Sequence, residues 1–186
     1  AMPVASSRRA VLLSVLLAVG LIGASLAVFD PFYTSDGAVM TMIASGTGLA
    51  LEPDEHLVFT NVLLGRLLAG LYRRAPGIPW YGLHLFTVQV VAWIGLFYAA
   101  LAQGATAQRA LMCTLTFGVV GLSFLVNLQF SSTAFLAAAA GGCLWVQICS
   151  PRWDREVPGA AAGAVALMVL GSLVRFDAFL LSFALA

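Results

Sequence analysis

Residues 57–72 read LVFTNVLLGRLLAGLY, and the fold turns on whether this stretch crosses a membrane or lies along one. The run is apolar, but it is short and carries Arg66 near its middle. A transmembrane helix needs about 20 mostly apolar residues. An Arg at the bilayer centre costs about 2.5–3.5 kcal/mol even on the most lenient scale. On a helical wheel Leu63, Leu64, Leu67, Leu68 and Leu71 share one face. Asn61, Gly65, Ala69 and Arg73 follow each other at i,i+4 on another side, with Arg66 and Gly70 beside them. This pattern predicts an amphipathic helix lying in the membrane interface.

The rest of the chain supplies the membrane. Of 186 residues, 61% are hydrophobic and 9% charged. A soluble domain runs near 45–50% apolar and about 25% charged. The composition excludes a soluble globular domain, and it also excludes disorder, which needs low hydrophobicity and high charge. The net charge of +1 gives no basic patch for nucleic acid. The expected fold is all-α: a single polytopic membrane domain over residues 1–186. Its five expected spans cover residues 10–29, 80–102, 110–126, 133–149 and 158–174. The outer loop, 30–79, is expected to hold two short surface helices. The chain stops at Ala186 inside the apolar run LLSFALA, so a fragment of a longer protein is expected.

Basic residues orient the spans, because cytoplasmic loops carry the excess of Arg and Lys. With 57–72 on the outer surface, Arg8-Arg9, Arg109 and Arg152/Arg155 all fall inside, and only Arg73-Arg74 remain outside. If 57–72 crossed, Arg109 and the Arg152/Arg155 loop would fall outside. The five-span arrangement with a cytoplasmic N-terminus is therefore preferred. It gathers Asp30, Asp36, Glu52, Asp54, Glu55, His56, Arg66, Arg73, Arg74, Arg175 and Asp177 on the outer face. Asp154 and Glu156 stay inside with the Arg anchors.

The first outer loop begins DPFYTSDGAVMTMIASGTGLALEPDEH, residues 30–56. Thr34-Ser35-Asp36 reads as a cap opening a short helix that Gly46 and Gly48 end. Asp36 is then a cap or first-turn acid, and equally a carboxylate placed to act as a general base or metal ligand. Glu52, Asp54, Glu55 and His56 form a second acidic cluster. It reads either as a turn with Asp54 or Glu55 capping the next helix, or as a set of hard metal ligands. Arg66, Arg73 and Arg74 are interfacial anchors or phosphate binders. Arg175 and Asp177 either pair with each other or point into the site. His84 reads as a hydrogen-bonded packing residue. Cys113, Cys143 and Cys149 read as small apolar residues. No Gly-x-Ser-x-Gly, Cys/His pair or nucleotide-binding Gly motif is present.

The order of first span, outer TSDG motif opening a short helix, amphipathic surface helix and second span resembles the GT-C-fold glycosyltransferases. The string SDGAVMTMIASG…PDEHLVFTNVLLG…PWYGL also looks like bacterial membrane proteins of that superfamily. The resemblance implies sugar transfer from a polyprenyl-phosphate-linked donor on the outer face of a bacterial plasma membrane. It makes Asp36 the catalytic acid. Arg66, Arg73, Arg74 or Arg175 would hold the donor phosphate. Two departures bear on mechanism. Asp36 stands between Ser35 and Gly37 rather than beside a second acid, and the matching second outer loop, Asn127–Ser132, carries no charge. A divalent cation is therefore not assigned. The competing expectation is a non-enzymatic membrane subunit or a transporter fragment. Spans almost free of mid-depth charge speak against an ion-coupled transporter.

The topology has a direct test. A Cys introduced as Arg109→Cys is expected to resist a membrane-impermeant thiol reagent applied outside intact cells, and to react once the membrane is opened. Labelling from outside would refute the five-span arrangement.

Overall fold

The computed structural model describes residues 4–150 and 159–184. Arg152, Asp154, Arg155 and Glu156, and with them one inner cluster of the charge argument, lie outside the described residues. The described residues are mostly helical, with one two-residue strand pair among them. Its elements are α1 (Val4–Leu26), β1 (Phe32–Tyr33), α2 (Ser35–Ser45), α3 (Val62–Arg74) and α4 (Trp80–Leu101). After these come α5 (Ala107–Thr116), a π-helical turn (Phe117–Gly121), α6 (Leu122–Val126), β2 (Asn127–Leu128), α7 (Phe130–Cys149), α8 (Ala160–Val174) and α9 (Phe176–Ala184).

Among the described residues, four helical stretches are long and apolar enough to cross a membrane: Arg8–Leu26, Trp80–Leu101, Ala107–Val126 and Phe130–Cys149. They match four of the five expected spans, with ends shifted by a few residues. The fifth is shorter than expected. α8 has 15 residues, roughly 22 Å of helix against a hydrocarbon core of about 30 Å. Arg175 interrupts it in extended conformation, and the chain resumes as α9.

Hydrogen bonds sort the helix ends into two groups. At one end, β1 pairs with β2 in parallel, Phe32 opposite Asn127 and Tyr33 opposite Leu128. The Asn61 N–H donates to the Leu173 carbonyl, and the Tyr81 N–H donates to the Tyr72 hydroxyl. At the other end, Gln103 donates to Gln147 at 2.8 Å, and Gln147 to the Ala99 carbonyl at 3.0 Å. α3 thus starts beside the end of α8 and finishes beside the start of α4. Both of its termini sit at one end of the bundle, so it lies across that end and does not pass through.

Three details of 57–72 differ from the sequence expectation. The helix begins at Val62, not Leu57, because Asn61 caps it by accepting from the Leu63 N–H at 2.9 Å. Neither Asp54 nor Glu55 caps it. The protein-facing side is Leu64, Gly65, Leu68, Ala69 and Tyr72, whereas Leu63 and Leu67 are about 60% exposed.

The core of the bundle is α7 against α8 and α4, with α1 laid along α4. Lipid offers apolar side chains no gain from leaving water, so close packing through small residues holds such helices together. At Gly171 a Cβ would stand 2.9 Å from the Ala134 carbonyl oxygen; at Gly141 it would stand 2.8 Å from that of Ala164. A Cβ at Gly142 would meet open space. Gly171→Ala is therefore expected to push α8 off α7 and lower stability by about 1–3 kcal/mol. Gly142→Ala should be neutral. Thermal unfolding in detergent separates the two, and equal melting temperatures would contradict the packing account.

Candidate functional site

The β1–β2 pair joins two loops that are remote in sequence. It places the start of α2, which carries Asp36, beside the start of α7. Thr34 occupies the cap position of α2 in extended conformation and makes no side-chain cap bond. Asp36 lies in the first turn, where a carboxylate meets the positive end of the helix dipole. Its side chain is exposed and has no ion pair among the described residues. The Tyr33 hydroxyl lies against Gly82, where a Cβ would collide with it, and burial, reinforced by Tyr72, raises the Tyr33 pKa.

Arg175 arrives from the α8–α9 break. Its Nε donates to Asp177 Oδ1 at 2.7 Å and its Nη2 to Oδ2 at 2.8 Å, a bidentate fork. Its Nη1 donates to the Ser131 hydroxyl at 2.6 Å, at the start of α7. The guanidinium carbon stands 4.7 Å from the Phe59 ring centroid and 5.1 Å from that of Phe130, within cation–π range. The two rings stack on each other at 6.1 Å. The Arg175 pKa is raised, chiefly by the Asp177 hydrogen bond, with the Asp36 charge adding to the effect. Asp36 and Arg175 are therefore within electrostatic reach, although no bond joins them.

Phe59 is held in the left-handed region at φ 66°. For a bulky side chain that conformation costs on the order of 1–3 kcal/mol. The stack on Phe130 and the contact with Arg175 offset it, as does the Asn61–Leu173 hydrogen bond two residues later.

The second acidic cluster does different work. Asp54 accepts from both the backbone N–H and the Nδ1 of His56, each at 2.9 Å, and the backbone bond leads in lowering its pKa. Glu55 pairs with Arg66 at 3.1 Å, and Arg73 donates to the Pro53 carbonyl at 2.8 Å. The Asp54 N–H donates to the Ile43 carbonyl. Gly65 lets this turn sit directly on α3, since a Cβ there would collide with the Glu55 carbonyl. The turn clasps α2 to α3. Among the described residues no group of three or more His, Cys, Asp or Glu converges as a metal site. Glu52 and Arg74 are exposed and take part in no ion pair among the described residues. His84 packs as expected, with Nδ1 2.8 Å from the Tyr81 carbonyl.

The structure thus places Asp36 within electrostatic range of Arg175 without a bond between them, and ties Arg66 and Arg73 to the clasp. Sequence reasoning missed Ser131, Phe59 and Phe130, which carry no charge. The Asn–Val start of α3 was the available sign that 57–61 is a strap rather than helix. No family model, curated protein or solved structure matches the chain.

The Arg175 cluster predicts a pH signature. The Arg175 hydrogen bond holds the Asp177 carboxyl below its ordinary range. A depressed pKa means the pair contributes fully above the unfolded carboxylate value and loses that contribution as pH falls through the lower folded value. Arg175→Lys keeps the charge but loses the fork and the planar face. It should cost about 0.5–1 kcal/mol at neutral pH and flatten the acid limb of the melting curve. An unchanged acid limb would show that the pair does not matter to stability.

Proposed function

We propose that the chain is the membrane part of a GT-C-type glycosyltransferase that takes sugar from a polyprenyl-phosphate-linked donor. In this reading five passes cross the bacterial plasma membrane, the N-terminus is cytoplasmic, and α2 and α3 lie on the outer face. The observation that carries it is the convergence of Asp36, from the first loop, and Arg175, from the α8 terminus, at one end of the bundle.

The chemistry asks for two things. A base must accept the acceptor hydroxyl proton as that oxygen bonds to the anomeric carbon. A cation must stabilise the phosphate that leaves with the electron pair of the broken C–O bond. Asp36 is exposed and has no ion pair among the described residues, so it is available as the base. Arg74 is exposed and has no ion pair among the described residues, and Arg175 and Arg73 supply further positive charge at the same end of the bundle. No step is routed through a metal. The second reading is a non-enzymatic membrane subunit. It is favoured by the pairing of Arg175 with Asp177 and of Arg66 with Glu55 inside the protein itself.

Asp36→Asn separates the readings. The substitution removes only a first-turn charge, worth about 0.3–1 kcal/mol, so folding should survive. Release of polyprenyl phosphate from a polyprenyl-phosphate hexose by the purified full-length protein should fall about 10²–10⁴-fold. Wild-type release would leave Asp36 a helix-terminus acid.

A further inference from the structure

Arg175 and Asp177 form a pair with two unequal halves. The guanidinium is held by three groups other than Asp177. Its Nη1 donates to the Ser131 hydroxyl at 2.6 Å, and its carbon lies 4.7 Å and 5.1 Å from the Phe59 and Phe130 ring centroids. Only 23% of the Arg175 side chain is exposed, against 66% for Asp177. Among the described residues Asp177 bonds to no side chain but Arg175. The carboxylate therefore covers, from the water side, a fork that stays in place without it.

The Nε and Nη2 groups of that fork suit two oxygens of a carboxylate, and equally two oxygens of a phosphate. An exposed ion pair contributes little, so a second anion can take the same two donors at small cost. Charge narrows the choice of anion. Asp36 also acts on Arg175, and it opposes any rise in negative charge there. A phosphodiester is a monoanion and replaces the Asp177 carboxylate one for one. A phosphomonoester, close to a dianion at neutral pH, adds a charge beside Asp36.

We propose that the Arg175 fork, with Ser131 and the Phe59–Phe130 platform, is a binding site for a phosphodiester monoanion, and that Asp177 is its internal occupant, leaving when the phosphodiester arrives and returning when it departs. The site goes beyond the transferase reading, because it needs neither a base nor a reaction. Two sources supply the same chemistry: the diester of a polyprenyl-phosphate sugar, and the headgroup of a membrane phospholipid.

The full-length protein in non-ionic detergent is titrated with dimethyl phosphate and followed through the Nε–H resonance of Arg175, identified by its loss in Arg175→Lys. Saturable movement of that resonance is expected in the wild type. Asp177→Asn keeps the shape and capping ability of the side chain and removes the competing charge. Half-saturation should then come at about fivefold lower concentration, the upper worth of an exposed pair. Ser131→Ala should raise it about fivefold. Competition with a polyprenyl-phosphate hexose and with phosphatidylglycerol identifies the source, and tighter binding of either one supports the site. An Arg175 resonance indifferent to dimethyl phosphate in both the wild type and Asp177→Asn would overturn it. So would an Asp177→Asn protein that binds no tighter than the wild type, which would leave Asp177 a structural partner. No sugar transfer is measured, so this titration can fail while the transferase reading stands, and the reverse.

Discussion

The pairing of Phe32-Tyr33 with Asn127-Leu128 is the contact on which the polar end of the molecule depends. It is small, yet it satisfies backbone groups that would otherwise face a poorly hydrated membrane boundary. More important is what it joins. One strand leads directly into α2 and the other into α7, so the register of two residue pairs sets Asp36 relative to Ser131. Arg175 then reaches the same place from a third segment, and its bond to Ser131 fastens the α8 terminus to the α7 start.

That third segment can reach Ser131 only because α8 lies so close to α7. In lipid the helices are held by contact rather than by expulsion from water. Gly141 and Gly171 bring the two backbones near enough for a carbonyl oxygen of each helix to fill the space a Cβ would take on the other. The same approach ends at Val174, where Arg175 leaves helical geometry. Packing deep in the bundle and charge placement at its surface are therefore one problem. A change at Gly171 would be felt four residues later at the guanidinium.

What the sequence made legible follows from what a bilayer penalises. Long apolar runs and the cost of Arg66 at mid-depth are strong signals, and among the described residues four helices long and apolar enough to span, with α3 lying across one end of the bundle, agree with them. The apolar face of α3 was legible too, but its meaning was not. In water the large apolar side chains turn inward. Here Gly65 and Ala69 join Leu64, Leu68 and Tyr72 on the protein side, because they allow close approach, while Leu63 and Leu67 face outward. The strap at 57–61 looked helical because Leu57, Val58 and Phe59 are apolar, although Asn61 marks the true start. At the site, Asp36 and Arg175 stood out by charge. Ser131, Phe59 and Phe130 did not, since a two-residue strand has no periodicity and uncharged loop residues carry no topological signal.

The distribution of charge at this end separates structural residues from available ones. Arg175 is neutralised by Asp177, Arg66 by Glu55, and Asp54 is occupied by His56. Pairs of this kind are worth little at a wet surface, so their value here is geometric: they fix the α8–α9 break and the clasp on α3. Asp30, Asp36 and Glu52 are left without ion pairs among the described residues. Of these three, Asp36 is the one whose charge acts on Arg175. The fork of Arg175 is turned to Asp177, so it offers Asp36 a field rather than a bond. Asp36 thus has no ion pair among the described residues while a fixed cation stands within electrostatic range, which is the arrangement the proposed transfer chemistry asks of its base.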